Sequence, residues 1–155
     1  ADQLKLGYRQ SVFMERPGTL VTAVTFQLTP DDPGAIGDRM TYYMQCRRAK
    51  QPLEFPSAGS YFKRPPGHYA SKLIQDCGLK GYTVGGAKIS EKHAGFVINS
   101  GGATCADVLK LEQHVRAIVL EKTGVTLQRE VRFLQPAQKG DADGICHCNG
   151  TVRGR

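Results

Sequence analysis

The sequence predicts an α+β fold in which helices pack on small, mostly antiparallel sheets. Two segments, 34–49 and 104–123, carry apolar side chains at helical spacing. Several short apolar stretches end in glycine turns, as strands joined by tight connections do. The chain has 155 residues, 40% of them hydrophobic and 23% charged, which is enough for one domain with a core or for parts of two.

The first third of the chain contains one predicted strand and one predicted helix. Residues 20–28 alternate between apolar and polar, which is typical of a strand, and a turn over 29–34 follows. The amphipathic helix over 34–49 ends before Pro52. Three cations close this helix, and they suit either the negative end of the helix dipole or a phosphate site. They are Arg47, Arg48 and Lys50.

Residues 51–68 are rich in proline and mark a domain boundary or a binding loop. Within them, the stretch 56–65 places Gly59 and Ser60 between prolines, with Lys63 and Arg64 close behind. A glycine that admits close approach, a hydroxyl and two cations are typical of an anion site. A proline-bounded surface turn fits the same stretch equally well.

Two further strands and a short helix follow this loop. Residues 69–76 predict a short helix, and residues 82–87 predict a strand running into Gly85-Gly86. This glycine pair lacks the full phosphate-loop pattern, so we expect a turn. A short buried strand is predicted over 96–99. His93 lies just before it, where a histidine is more often a satisfied structural group than a ligand.

The long helix over 104–123 is the clearest element of the sequence. Thr104 and Asp107 match a capping box at its start, and Gly124 follows its end. Residues 125–133 then alternate, which predicts a strand with one apolar face. Glu130 lies on the polar face of this strand, within reach of Arg132. Such a glutamate is usually solvated.

The net charge of +7 fits either a nucleic acid or a small anionic ligand. The sequence has no run of five or six cations, which disfavours a nucleic-acid arm. A basic nucleic-acid module remains a rival hypothesis, and a steep salt dependence of DNA affinity would support it. We predict no nucleic-acid partner.

Cysteine usage is typical of a reducing compartment. Cys46, Cys77 and Cys105 lie in apolar-patterned segments, where free cysteine acts as a small hydrophobe. No apolar run approaches the roughly 20 residues of a membrane span. No signal peptide is evident, and the chain begins without methionine, as a fragment or a processed chain would. We expect a cytoplasmic protein that does not contact a membrane.

The last twenty residues lose all periodicity and predict a disordered tail over 136–155. Residues 141–144 begin like a calcium loop, but no glutamate stands at the twelfth position. Residues 146–148 offer two cysteines and a histidine without a second ligand pair. We therefore predict no metal site.

Seven segments, taken in order, resemble the UDP-N-acetylenolpyruvoylglucosamine reductase family. Each would be weak alone, but together they cover residues 6 to about 134. The segments are 7–13 (GYRQSVF), 47–51 (RRAKQ), 56–65 (PSAGSYFKRP), 78–81 (GLKG), 85–87 (GGA), 90–99 (SEKHAGFVIN) and 124–131 (GVTLQREV).

The resemblance implies a cytoplasmic oxidoreductase of bacterial peptidoglycan synthesis. Enzymes of this family bind FAD, take a hydride from NADPH and reduce the enolpyruvyl ether of a UDP-sugar to UDP-N-acetylmuramate. Flavin hydride goes to the terminal carbon of the double bond, and a serine hydroxyl protonates the neighbouring carbon. The serine then acts as a general acid rather than a nucleophile, since the sequence suggests no serine–histidine pair.

Matched motif by motif, the resemblance assigns catalytic roles to Arg9, Ser60 and Glu130. From the sequence alone Arg9 could be a rigid, stacked side chain or a plain surface charge, and the surface charge is favoured. Whether Glu130 holds the site's geometry or binds a proton is also open. The residues that would contact the substrate are Tyr8, Lys50, Gln51, Arg64 and His93.

The resemblance also implies how the chain is divided. Residues 1–50 match the end of a flavin-binding domain, 51–124 a substrate-binding domain, and 125–135 a strand that returns to the flavin domain. The family's N-terminal flavin-binding part is absent, and full activity would need it. No flavin-contacting residue can be named from the sequence. The alternative function is that of a non-catalytic UDP-sugar-binding fragment.

Overall fold

A computed structural model describes residues 2–16 and 18–134 and divides the chain into two units, Ala1–Thr41 and Tyr42–Arg155. Short 3₁₀ turns form at Asp2–Leu4 and Val12–Met14. The predicted domain borders at 50, 124 and 135 stay predictions. The helices and strands, in chain order, are α1 (Pro33–Lys50), β1 (Ser57–Ser60), α2 (Ala70–Asp76), β2 (Thr83–Val84), β3 (Ala87–Ile89), β4 (Phe96–Asn99) and α3 (Cys105–Thr123).

Residues 20–30 are exposed throughout and form neither strand nor helix. The predicted strand over 20–28 is therefore wrong for this structure. A strand is stabilised by a hydrogen-bonded neighbour and by burial of one face, and alternation of polarity supplies neither. The apolar side chains that the alternation assigns to one face are each at least 65% exposed, and they are Leu20, Val24, Phe26 and Leu28.

The predicted helix over 34–49 is confirmed as α1. The Asp32 carboxylate accepts a hydrogen bond from the Ala35 N–H at 2.8 Å, and Pro33 occupies the first helical position. Neither of these start signals depends on tertiary packing. No residue of α1 is buried, so the helix presents its predicted apolar side uncovered: Ile36, Met40, Tyr43 and Met44.

A four-stranded antiparallel sheet lies at the centre of the second unit, with strand order β1–β4–β3–β2. β4 confirms the short buried strand predicted over 96–99. The strand predicted over 82–87 divides into β2 and the start of β3, which are joined at Gly85-Gly86. That glycine pair is a turn, as expected.

Helix α3 packs on β2, β3 and α2 and supplies much of the core. The capping box is present, with the Asp107 N–H donating to Thr104 Oγ1 at 3.1 Å and the Thr104 N–H donating to Asp107 Oδ2 at 2.9 Å. Gly124 ends the helix in the left-handed conformation, with φ of 70°. The fully buried side chains of α3 are Leu111, Val115 and Val119.

Residues 125–134 form no strand, although one was predicted over 125–133. They make a single antiparallel bridge, between Phe62 and Arg129. The alternation still describes which side chains face inward, since Leu127 is fully buried and Thr126 and Gln128 are exposed. The backbone of residues 125–134 pairs with the segment that contains Phe62 through this one bridge, which is too short a pairing to form a strand.

Of the three cysteines placed in apolar segments, Cys77 is buried and Cys46 half-buried, but Cys105 is exposed. Cys105 opens α3, where the side chain points away from the core. No helix among residues 2–16 and 18–134 is long and apolar enough to cross a membrane. Within the same residues no cluster of histidine, cysteine and acidic side chains could hold a metal. The predictions made for 136–155 lie outside the described residues.

Candidate active site

A β-bulge presents Ser60 at the edge of the sheet. Three residue steps of β1, from Ser57 to Ser60, span two steps of β4, from Ile98 to Phe96. Gly59 absorbs the extra residue with φ of +81°, a conformation that disfavours other residue types. Ser60 is exposed, and its Oγ donates only a long hydrogen bond of 3.4 Å to the Phe62 carbonyl. The hydroxyl is thus weakly held and open to a ligand.

The segment that carries Glu130 is hydrogen-bonded to the segment that follows Ser60. The Glu130 N–H donates to the Tyr61 carbonyl at 2.9 Å, and the Lys63 N–H donates to the Gln128 carbonyl at 2.8 Å. Both bonds join parts of the chain that are distant in the sequence. The structure therefore brings the backbones of two predicted catalytic residues, Ser60 and Glu130, onto paired segments.

A buried polar cluster lies beside this pairing. Glu112 of α3 is 4% exposed, and its Oε2 accepts hydrogen bonds from Tyr61 Oη at 2.8 Å and from Arg129 Nη1 at 3.1 Å. Arg116 Nη1 lies 3.6 Å from the other carboxylate oxygen. Burial, followed by the hydrogen bond to Glu112, raises the pKa of Tyr61 well above its ordinary value, so the phenol stays a donor.

Lys92 anchors the C-terminus of α1. Two of the predicted substrate contacts, Lys50 and Gln51, lie at this terminus and directly after it. Lys92 Nζ donates to the Arg48 carbonyl at 3.1 Å and to the Gln51 carbonyl at 3.3 Å, and it pairs with Glu54 at 3.1 Å. A cation at this end complements the helix dipole. Gln51 is held further by Arg47, whose Nε donates to Gln51 Oε1 at 3.0 Å, while the adjacent Lys50 is exposed.

His93 and Arg64 are both held by neighbouring groups. The Gly95 N–H donates to His93 Nδ1 at 3.1 Å, and the ring packs edge-on against Phe96 with centroids 5.1 Å apart. These contacts support the structural interpretation of His93 and leave Nε2 to carry the proton of the neutral ring. The Arg64 guanidinium lies 4.0 Å from the centre of the Tyr69 ring, which orients a planar cation.

Tyr8 and Arg9 form the tip of a tight turn in the first unit. Gly7 and Gln10 exchange two backbone hydrogen bonds of 3.0 and 3.2 Å across it. Arg9 adopts φ of +54°, an uncommon conformation for a residue with a side chain, and its guanidinium lies 5.9 Å from the Tyr8 ring. The turn constrains the backbone of Arg9, and the residue itself is exposed.

Comparison with known proteins identifies the family. The family described as "UDP-N-acetylenolpyruvoylglucosamine reductase, C-terminal domain" matches residues 51–134. This chain belongs to the UDP-N-acetylenolpyruvoylglucosamine reductase family. The match spans β1 through the Glu130 segment, and it confirms the family that the sequence segments resemble.

Individual reductases of this family agree. The chain is 50% identical over 133 residues to the UDP-N-acetylenolpyruvoylglucosamine reductase of Clostridium perfringens (strain SM101 / Type A), which covers 86% of this chain and 43% of that protein. It is 53% identical to the reductase of Lachnoclostridium phytofermentans, with the same coverage of both chains. The chain thus spans less than half the length of the curated relatives that it matches.

A solved reductase supports the fold. The crystal structure of the UDP-N-acetylenolpyruvylglucosamine reductase from Thermus caldophilus aligns with a TM-score of 0.68 and 37% identity, covering 84% of this chain and 46% of that one. The α+β class, with a small antiparallel sheet and packed helices, is confirmed.

The Glu112 cluster escaped sequence reasoning about the family's site. The sequence did indicate that Glu112 is unusual, because the residue lies on the apolar side of α3, three residues before Val115 and four after Val108. A carboxylate among core positions needs a buried partner. The partners, Tyr61 and Arg129, are distant in the sequence and could not be assigned from it.

Proposed function

We propose that this chain supplies the substrate-binding and proton-donating part of a flavin-dependent UDP-N-acetylenolpyruvoylglucosamine reductase. The reaction is the NADPH-driven reduction of UDP-N-acetylglucosamine enolpyruvate to UDP-N-acetylmuramate. The observation that carries the proposal is the exposed Ser60 hydroxyl on a glycine bulge, with Glu130 on the segment paired to it. Family membership and the matched motifs support the substrate class.

The first unit, which lies in the part of the chain that resembles the flavin-binding domain, offers few buried side chains to a flavin. In the first unit only Val12 is buried among the described residues, whereas a bound ring system needs a walled cavity. The FAD that this chemistry requires, as the two-electron carrier between NADPH and substrate, would be held with the help of protein beyond these 155 residues. The chain's own side chains bind the substrate, orient it and supply a proton.

Ser60 acts as the proton donor. Addition of a hydride to the terminal carbon of the enolpyruvyl group leaves an electron pair on the neighbouring carbon, which is conjugated to the carboxylate. That carbon is basic enough to take a proton from a neutral hydroxyl, so the new C–H bond forms as the Ser60 O–H bond breaks. The serine needs no histidine base for this role.

Arg9, Glu130 and the α1 terminus supply charge and position. A fixed arginine stabilises negative charge that develops on the substrate carboxylate, and the constrained turn suits Arg9 to that task. Lys50 and Arg64 suit the diphosphate and Gln51 a neutral polar group of the sugar, with Tyr8 and His93 as further contacts. Glu130 orients the protonated carbon or returns a proton to Ser60.

Replacing Ser60 by alanine tests this proposal in the full-length reductase. We expect transfer to the UDP-sugar to fall by about 10²–10⁴-fold, because the general acid is lost, while flavin reduction by NADPH stays unchanged. Rapid-mixing absorbance measurements follow the two half-reactions separately. Thr83→Ala, at an exposed hydroxyl of β2 on the opposite edge of the sheet, is the control and should leave both rates intact. Equal loss of both half-reactions would show Ser60 to be structural and contradict the proposal.

The second candidate is a UDP-sugar-binding fragment without catalysis. It is favoured by the coverage of only 43% of the relatives' length. Calorimetry of the purified chain with UDP-N-acetylglucosamine, beside a flavin absorbance spectrum, separates the two. Binding of the sugar nucleotide with no flavin present and no turnover after FAD addition supports this second function.

A further inference from the structure

Glu112 is a buried ionisable group that the proposed chemistry does not use. It stands beside the fully buried Leu111 and is itself 4% exposed. Removing a carboxylate from water is costly, and a well-packed apolar residue at such a position is often at least as stabilising as an ion pair. Core stability alone therefore gives no reason for a carboxylate here.

The two hydrogen bonds of Glu112 end on the immediate neighbours of the two predicted catalytic residues of the second unit. Tyr61, whose Oη lies 2.8 Å from Glu112 Oε2, follows Ser60 in the chain. Arg129, whose Nη1 lies 3.1 Å from the same oxygen, precedes Glu130. One oxygen atom thus joins α3 to both paired segments, and the backbone bond from Glu130 to the Tyr61 carbonyl closes the connection.

We propose that Glu112 is a positioning residue that fixes the Ser60 bulge and the Glu130 segment relative to each other. The inference rests on the proposed function, in which Ser60 and Glu130 act on the same substrate. Glu112 does not touch the substrate. It acts through Tyr61 and Arg129, while Arg116, on the next turn of α3, lies 3.6 Å from the other carboxylate oxygen.

The chemistry of the cluster suits a rigid link. An arginine and a phenol that share one carboxylate oxygen hold it in a narrow range of angles, and charge-assisted hydrogen bonds are the shorter and stronger kind. The ring of Tyr61 is fixed as well, because it packs edge-on against Phe62 at 4.9 Å between centroids. A displacement of about 1 Å at a reacting group costs roughly 10²-fold in rate, so such a link has a measurable catalytic effect.

Amide hydrogen exchange in this chain tests the link without any catalysis. In Glu112→Gln we expect the Lys63 and Glu130 amides, which make the hydrogen bonds between the paired segments, to exchange at least about tenfold faster. The Ile89 and Ser100 amides, bonded elsewhere in the sheet to Tyr82 and Gly86, serve as internal references and keep their rates. Glu121→Gln, an exposed glutamate on the same helix, is the matched control. Unchanged exchange at Lys63 and Glu130 overturns the proposal.

Kinetics in the full-length reductase complete the test. Glu112→Gln should lower kcat for transfer to UDP-N-acetylglucosamine enolpyruvate by about tenfold to a hundredfold, with KM and flavin reduction by NADPH little changed. Faster exchange together with an unchanged transfer rate also overturns the proposal. If Glu112→Gln does not fold, Tyr61→Phe removes one arm of the cluster and keeps the ring, and the same outcomes apply.

A different combination of results would show that the proposed function itself is wrong. If Ser60→Ala leaves transfer unaffected while Glu112→Gln accelerates exchange at Lys63 and Glu130, the assignment of Ser60 is wrong. The structural link through Glu112 then stands without its catalytic consequence, and the positioning role is overturned with the function on which it rests.

Discussion

At the scale of single residues, two positions require glycine for different structural reasons. Gly59 provides a backbone angle that the bulge before Ser60 requires, with open space where a side chain would stand. Gly86 provides room. A Cβ there would overlap the Gly101 carbonyl oxygen and the Ala103 nitrogen, and would lie 2.7 Å from Ala103 Cα. These neighbours are backbone atoms, which cannot rotate away as the end of a side chain can.

Gly86→Ala should therefore destabilise the chain by about 3 kcal/mol, the upper range for forcing extra volume into a packed site. Urea unfolding followed by circular dichroism measures the change. Gly124→Ala is the comparison, because its site is open and only its left-handed conformation is strained, at a cost of about 1 kcal/mol. Equal losses for the two variants would show that the Gly86 site relaxes.

At the scale of elements, the start of α3 is fixed by charge as well as by packing. Hydrogen bonds from the Thr104 backbone and side chain, in that order of effect, hold the pKa of Asp107 below its ordinary value. A carboxyl group with a lowered folded-state pKa stabilises the fold above its unfolded pKa of about 3.9, and this contribution is lost as the pH falls.

Asp107→Asn should therefore lower the free energy of unfolding at pH 7, and the difference from the parent chain should shrink progressively as the pH falls below about 3.9. The substitution keeps the size of the side chain and removes its charge. Urea unfolding at a series of pH values gives the comparison. A difference of the same size at pH 7 and pH 3 would mean that the carboxylate charge does not contribute to the cap.

The end of α1 illustrates how one element positions another. Lys92, in the connection between β3 and β4, reaches two carbonyls at the α1 terminus and the Glu54 carboxylate. The backbone N–H of Glu54 itself, followed by Lys92, holds the pKa of the Glu54 carboxyl below its ordinary value. Residues 50 and 51 are thereby tied to the sheet that carries Ser60, although 41 positions separate Lys92 from Gln51.

At the scale of the whole molecule, the two units differ in how far they are buried. The second unit has a continuous core of apolar side chains around Ile74, Ile89, Leu111 and Leu127. Among the described residues of the first unit only Val12 is buried, and the apolar side chains of 20–28 are exposed. The second unit is the part that we expect to bind its ligand independently.

The purified 155-residue chain should accordingly hold far less than one equivalent of FAD and show little NADPH oxidation. A flavin absorbance spectrum after desalting, and an NADPH assay with UDP-N-acetylglucosamine enolpyruvate, measure the two properties. The full-length reductase serves as the positive control. Stoichiometric FAD with substrate-dependent NADPH oxidation in this chain would contradict the expectation. It would show that these 155 residues hold the flavin by themselves.

Local signals explain which elements could be predicted. The capping box at Thr104 and Asp107, the proline at the start of α1 and the glycine after α3 act within one turn of helix, so a sequence window contains them. The sheet order and the bridge between Phe62 and Arg129 join distant segments. The sequences of 20–28 and 125–133 do alternate in polarity. Such alternation does not tell whether a neighbouring strand is present to form the backbone hydrogen bonds of a sheet.

The sequence by itself determined the helix termini, the α+β class and, through its seven matched segments, the family. It also singled out Ser60, Glu130 and Arg9 as candidates, a choice that stays a prediction. Only the tertiary structure decided that Ser60 stands on a bulge, that the Glu130 segment pairs with it and that Glu112 joins the two. The physical reason is that helix caps and turns depend on contacts a few residues apart, whereas a buried carboxylate takes whatever partners the fold brings to it.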